Sequence, residues 1–406
     1  ALLERLGIPR LSALPDFLET LKLLHCYGPL PGSNIASISC SGGEASLIAD
    51  LAVGTGLSFP RLSDGQKAHL REALGPMVAL NNPLDYHTYI WRDEAAMAKA
   101  WAGMTGDDID LTFSILDYPT TDASDWAYAS RAAMKVRAET GARFAVAATL
   151  PELLPEDVAQ ELMDGGVVPF MGLREALAAT EAAGQVTAPS DTPVTLPGTA
   201  EANRTLTEGE SKRVLAECGM RIPQNRTVTG ADQARAAAQD MDAPFAVKGV
   251  GLAHKSEHAA VRLGVLAEDV VDVAADIGTP EILIEEMITG TVAELLVGVV
   301  RDPAHGFVLT LGAGGVLTEV MRDTASLLVP SSADDIRNAL GKLKIAPLLA
   351  GYRGQPAADM DAIVAAVEAV QAYVMQNADT LGEVEINPLL CTPDKAVAVD
   401  ALIRKA

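Results

Sequence analysis

The sequence predicts an α/β fold, in which a doubly wound parallel-sheet domain is followed, after a linker, by an α+β domain. Three observations carry this. The 406 residues are about two to three times the usual domain size, so two or three domains are expected. The composition, 49% hydrophobic, 21% charged and only 4% aromatic, is that of an aliphatic-cored globular protein. From Pro31 to about Ala183, short β-rich runs alternate with helical stretches, whereas the second half mixes its helices with more strands.

Residues 1–30 read as a helical lead-in. The first domain, 31–184, opens with the strand Asn34–Ser39 and the helix Glu44–Val53, followed by the strand Met77–Leu80 and the helix Asp93–Trp101. Asp110–Leu116 then pairs with the helix Asp125–Glu139, and Arg143–Ala148 with Glu156–Met163. Asp110–Leu116 is apolar on both faces, as expected of a strand covered by helices on two sides, and the alternation reads as a flavodoxin-like unit. Residues 185–204 gather Pro, Thr and Ser and lose apolar periodicity, which marks a linker. Thr207-Glu208-Gly209-Glu210 is a capping box and opens a helix to about Cys218, beginning the domain 205–406. Its further helices are expected at Ala231–Met241, Ala333–Leu343 and Met360–Gln376. Its strands are expected at Ala260–Val265, Glu281–Glu286, Ala293–Val300, Phe307–Leu311 and Gly382–Ile386, with Asn387-Pro388 halting the last.

A net charge of −23 repels polyanions, and no basic patch intervenes, so nucleic acid and acidic membranes are excluded as partners. Cys26, Cys40, Cys218 and Cys391 form no C-x-x-C pair, which fits a reducing, cytoplasmic setting. No apolar run reaches the roughly 18 residues that span a bilayer, and Ala1–Arg5 lacks the regions of a signal peptide. The absent initiating Met suggests a processed or internal start of a longer polypeptide.

Seven segments carry candidate chemistry. Ser39–Glu44 is a Gly-rich turn between strand and helix, where free N–H groups and the helix dipole at Ser41, Gly42 and Gly43 suit a phosphoryl group; tight packing is the plainer use of such a turn. Asn82–Asp85 falls at the same sheet edge, with Tyr86, His87 and Trp91 as pocket candidates. Pro244–Lys248 is an apolar strand ending in a lysine whose ammonium needs a partner or an anion, for which phosphate is the obvious choice. Glu285, Glu286 and Met287 end another strand and suit a purine edge. Strand alternation puts Glu383, Glu385 and Asn387 on one face, an oxygen set that suits Mg2+ beside a nucleotide, against the alternative of a solvated strand face. The polar loop His254-Lys255-Ser256-Glu257 offers an imidazole that can carry a phosphoryl group, or an inert surface loop. Gly312–Gly315, with Glu319 and Asp323 beyond, has neither a Rossmann nor a Walker context and reads as a flexible segment over a triphosphate.

Together these residues resemble the NDP-forming acyl-CoA synthetase superfamily, which includes ADP-forming acetate–CoA ligase and succinyl-CoA synthetase. Residues 31–183 resemble its succinyl-CoA-ligase-like flavodoxin domain through Ser39–Glu44 and Asn82–Asp85. Residues 205–406 resemble its ATP-grasp domain through Lys248, His254–Glu257, Glu285–Met287, Gly312–Gly315, Glu319–Asp323, Gly351–Gly354, Glu383–Pro388 and Val399–Ala401. The resemblance implies an acid–thiol ligase. ATP or GTP with Mg2+ phosphorylates a histidine, which passes the group to a small carboxylic acid, and coenzyme A captures the acyl group. It implies catalytic roles for His254, Lys255 and Asp400; nucleotide contacts at Lys248, Glu285, Glu286, Met287, Gly314 and Gly315; and a metal at Glu383, Glu385 and Asn387. The family's CoA-binding Rossmann segment and its primary phosphohistidine loop precede this stretch, so an upstream segment or subunit is the expected partner. Members occur fused or as separate subunits, so homo- and hetero-oligomers both fit. A ligand-sensing module without ligase activity, and an ATP-grasp ligase joining carboxylate to amine, are the competing readings.

Overall fold

The apolar runs after Pro31 become five strands in the computed structural model, which describes residues 1–201, 203–250, 260–315 and 318–406. They are β1 (Ile35–Ser39), β2 (Leu84–Asp85), β3 (Leu111–Ile115), β4 (Phe144–Ala148) and β5 (Val168–Met171). All pair in parallel, in the order β2-β1-β3-β4-β5. This is the flavodoxin-like winding, whose ligands bind beyond the carboxyl ends of the strands. Every residue of β1, β3 and β4 is buried. Ile35, Phe113 and Phe170 pack on one face with Leu23 of the helix Leu14–Tyr27 and Leu177 of the helix Leu173–Gln185. Ile38, Phe144 and Val146 pack on the other with Trp101 and Val136.

The strand expected at Met77–Leu80 is absent; that stretch is a turn with Met77 81% exposed, and β2 comes later, at Leu84–Asp85. Asn82 explains the difference. Its side chain accepts from Ser37 N at 3.1 Å and donates to the carbonyl of Ile35 at 2.9 Å, so an amide side chain supplies β1 with the bonds a longer edge strand would have made. The strand β5 and the helices Asp64–Leu74 and Leu173–Gln185 were not anticipated.

A second compact unit comprises residues 191–406 with Ala1 and Leu2, the first being residues 3–190. Its strands are β6 (Arg204–Thr205), β7 (Asn225–Val228), β8 (Phe245–Gly249), β9 (Val261–Val265), β10 (Ile282–Glu286), β11 (Ala293–Asp302), β12 (Gly306–Ala313), β13 (Thr324–Leu328), β14 (Leu381–Cys391), β15 (Ala396–Ala398) and β16 (Ala401–Lys405). A four-stranded sheet runs β7-β10-β8-β9 and a seven-stranded one β13-β12-β11-β14-β16-β6, with β15 added beside β14; their pairings are antiparallel. Phe245, Val247, Ile282 and Ile284 bury one face of the smaller sheet against the helices Ala231–Gln239 and Val270–Ile277. Val297, Leu309, Val384 and Ile386 do the same for the larger sheet against Ala333–Gly341 and Met360–Gln376.

Asn387-Pro388 does not halt β14, which runs on to Cys391. Leu389 pairs with Leu295 and Ile386 with Val297, so Asn387 and Pro388 together oppose Leu296 in a bulge. Proline is tolerated there because a bulge leaves a donor position without a ladder partner. Among the described residues no helix is long and apolar enough to cross a membrane.

Candidate functional site

At the carboxyl edge of the parallel sheet, β1 leads through Cys40 and Ser41 into the helix Gly42–Leu51. Ser41 occupies the N-cap without a side-chain cap bond, and Gly42 and Gly43 are exposed. The helix start is already flanked by acids. A Cβ on Gly42 would lie 3.2 Å from Asp85 Oδ2, and Asp85 Oδ1 accepts from the backbone of His87 at 2.7 Å. Asp117 accepts from the Thr149 amide and hydroxyl, both at 2.6 Å. Burial, then Asp117 and Asp85, push the Glu44 carboxyl up to about 7. Tyr86 is a core residue rather than a pocket wall, its ring tilted against Trp101 at 6.3 Å, and Trp91 packs edge-on to Trp126 at 5.3 Å.

Glu44 carries a stability prediction. Its carboxyl titrates higher folded than unfolded, so its protonated form is the one folding favours; the cost of ionising it is absent below about pH 4.5 and is fully present above about 7. Glu44→Gln is expected to stabilise the chain at pH 8 by on the order of 1–2 kcal/mol, discounted for partial exposure, and to leave stability at pH 4.5 nearly unchanged. Thermal unfolding at the two pH values checks this; equal shifts at both contradict it.

The larger site is a cleft of about 1450 Å3 in the second unit, between its two sheets. Strand alternation builds one wall. Val247 and Ile284 face the helices, so Ala246, Lys248, Leu283 and Glu285 face the cleft. The opposite wall comes from β14 and the turn before β16, which contribute Glu385, Asn387 and Asp400. At one end the capping box forms as expected. Thr207 Oγ1 accepts from Glu210 N at 3.2 Å and Glu210 Oε2 accepts from Thr207 N at 2.9 Å, which starts the helix Glu208–Glu217. Glu208 is thereby its first residue, and Lys212, one turn on, lies under it.

Four charges meet there, all buried. Lys248 Nζ lies 2.9 Å from Glu208 Oε1, 2.8 Å from Glu285 Oε2 and 2.6 Å from the carbonyl of Val399. Lys212 Nζ lies 2.7 Å from Glu208 Oε1 and 3.3 Å from Val399 O, and also bonds Glu285 Oε1. Burial opposes the charge on Lys248, but Glu285 and Glu208 outweigh it and hold the ammonium protonated well above its ordinary range. The anion expected of this lysine is thus, in the protein itself, a pair of carboxylates. Across the cleft, burial, Glu383 and Asp400 raise the Glu385 carboxyl against a lowering bond from Asn387. Asn387 Oδ1 also accepts from Gly315 N at 2.8 Å. Gly315 sits at φ +64, where a Cβ would collide with the Glu294 carboxylate, so the loop reaches Asn387 only as glycine.

A family model for the ATP-grasp domain matches residues 198–404, about half of the chain. The chain belongs to the ATP-grasp family. Curated relatives bear out the wider resemblance to NDP-forming acyl-CoA synthetases. A trans-feruloyl-CoA synthase from an unidentified prokaryote is 26% identical over 99% of this chain and 60% of its own length, so the chain spans less than two thirds of that relative. The beta subunit of an ADP-forming acetate–CoA ligase II from Pyrococcus furiosus is 28% identical over 50% of this chain and 93% of the subunit. Among solved structures, a dinucleotide-forming acetyl-coenzyme A synthetase 1 from Ca. Korarchaeum cryptofilum is 26% identical, covering 50% of this chain and 94% of that one with a TM-score of 0.47.

The ATP-grasp cleft brings together Lys248, Glu285, Glu286, Met287, Gly315, Glu385, Asn387 and Asp400. Glu383 is not among its lining residues and pairs with Arg404 at 3.4 Å, while Gly314 N donates to Glu294 O. The amides of Glu286 and Met287, expected to meet a purine, donate instead to Gln224 O and Pro244 O. Asp323 is structural, its buried carboxylate accepting from the amides of Lys344 and Ile345. His254 and Lys255 lie outside the described residues. Lys212 and Glu208 were missed: a Glu and a Lys four residues apart read as a surface pair, and only the fold reveals that both are buried.

Proposed function

We propose that the chain is the nucleotide-binding and phosphoryl-transfer part of an NDP-forming acyl-CoA ligase acting on a small carboxylic acid. The observation that carries this is the opposition, across one cleft, of the Lys248 cluster to Glu385, Asn387 and Asp400. A magnesium nucleotide needs cationic donors for its phosphates and hard oxygen ligands for its metal, and the two walls supply these in turn. The donor set fits the ion. Glu385 and Asn387 are oxygen ligands, and burial, with Glu383 and Asp400 adding to it, raises the Glu385 carboxyl, a strain that a bound cation would relieve. Bound there, Mg2+ would neutralise charge on the phosphates.

The chain's own residues then have defined tasks. Lys248 orients a phosphate, Asn387 ties the Gly315 loop to the metal strand, and Leu283 and Met287 exclude water from the base. In the reaction the resemblance implies, a histidine nitrogen attacks the γ-phosphorus and the bond to the β-phosphate oxygen breaks, releasing the nucleoside diphosphate. The acid's carboxylate then takes the phosphoryl group, and the thiol of coenzyme A displaces phosphate from the acyl phosphate. His254 and Lys255 are the chain's candidates for the relay, with Ser41, Gly42 and Gly43 as a phosphoryl cradle. Asp85 beside Gly42 means that such a cradle works only for an anion whose charge is shared with another group. A CoA-binding Rossmann segment or subunit is the partner this reading requires.

The reading is tested with γ-labelled ATP and Mg2+. The chain is expected to take up acid-labile, base-stable label that His254→Ala abolishes. Label that survives His254→Ala puts the carrier elsewhere, and no label under any condition contradicts the phosphoryl-transfer reading.

A further inference from the structure

Lys248 is saturated. An ammonium has three protons, and Glu208 Oε1, Glu285 Oε2 and the Val399 carbonyl stand at 2.9, 2.8 and 2.6 Å from its nitrogen. A phosphate oxygen can reach this lysine only by displacing one of those acceptors. Each of the three groups is also bonded by Lys212, Glu285 through its other oxygen Oε1; Lys212 is 0% exposed and itself outside the cleft lining. When Lys248 turns to a phosphate, the carboxylates it leaves therefore still have a counter-ion. Without Lys212, the same movement would strand the buried Glu285 carboxylate, whose ion pairs are with Lys212 and Lys248, and that costs more than a phosphate contact returns.

We propose that Lys212 is a positioning residue for nucleotide binding, holding Glu208 and Glu285 so that Lys248 can exchange them for a nucleotide phosphate. The inference rests on the nucleotide reading of the cleft and adds a step to it. Lys212 never meets the ligand; it sets the cost of freeing the residue that does. The same logic gives Glu208 an opposing role, because it competes with phosphate for Lys248. Asp400 adds a further negative charge near Lys248 and makes the balance sensitive to either change.

The test is calorimetric titration of the whole chain with magnesium ADP and, separately, with adenosine, which has the base and ribose but no phosphate. Lys212→Met is expected to weaken ADP binding by about tenfold or more, the value of a charge-assisted contact, and to leave adenosine binding unchanged. Glu208→Gln, which keeps the shape and removes a competitor, is expected to tighten ADP binding by about threefold. Equal weakening of ADP and adenosine in Lys212→Met marks a structural role and overturns the proposal, as does unchanged ADP affinity. Weaker or unchanged ADP binding in Glu208→Gln also overturns it, and this arm decides alone if Lys212→Met does not fold. A wild-type chain that binds no ADP removes the nucleotide reading and this inference together; wild-type binding with unchanged variants removes only the inference.

Discussion

Lys248→Met is expected to lower affinity for magnesium ATP by about 10- to 100-fold, because in the proposed reading it removes a charge-assisted phosphate contact of about 1.5–3 kcal/mol. The substitution keeps the length and apolar stem that pack in β8, so the loss falls on the charge. It also leaves Glu208 and Glu285 with Lys212 as their remaining partner among the four, and a lower unfolding midpoint is expected with the weaker binding. Binding by calorimetry separates the two effects when measured below that midpoint. Affinity within about twofold of wild type would mean that Lys248 never leaves its carboxylates and that another cation holds the phosphates.

The largest expected effect on the fold comes from Glu285→Ala. Glu285 is 1% exposed, bridges Lys212 and Lys248, and stands opposite Ala246 in the β8–β10 ladder. Removing it leaves two buried ammonium groups sharing Glu208, a loss of about 3–5 kcal/mol by analogy with broken buried ion pairs. The double variant Lys212→Met/Glu285→Leu removes one charge of each sign and is expected to recover much of that, since hydrophobic replacement of a buried pair is often neutral. Denaturant unfolding measures both. A Glu285→Ala chain within about 0.5 kcal/mol of wild type would show that water reaches the cluster and screens it.

What was legible in the sequence follows from what each signal reports. Alternating apolar runs and the Thr207 capping box are local, and the structure reproduces them to within a few residues: Met360–Gln376 as read, Ile35–Ser39 one residue shorter. The face alternation of Glu383, Val384, Glu385, Ile386 and Asn387 is likewise local, and Val384 and Ile386 are fully buried. Met77–Leu80 failed because a side chain, that of Asn82, satisfies β1 where a strand was expected. Asn387-Pro388 failed as a strand end because a bulge opposite Leu296 absorbs the proline. Lys248 was found but its partner was not, since Glu208, Glu285 and Val399 come from three separate parts of the chain and no spacing rule joins them. Glu44 was passed over because its raised carboxyl depends on burial and then on Asp117 and Asp85, which arrive from different strand ends, and none of these shows in the local sequence.

In the proposed function the ATP-grasp cleft holds a magnesium nucleotide between Lys248 and the Glu385–Asn387 strand. Calorimetric titration of the folded chain with ATP and with GTP, in the presence and absence of Mg2+ and repeated on Glu385→Gln, tests it most directly. Binding heat is expected with at least one of the two, requiring Mg2+ and falling sharply in the variant. No heat with either, or heat indifferent to both Mg2+ and Glu385, would contradict it.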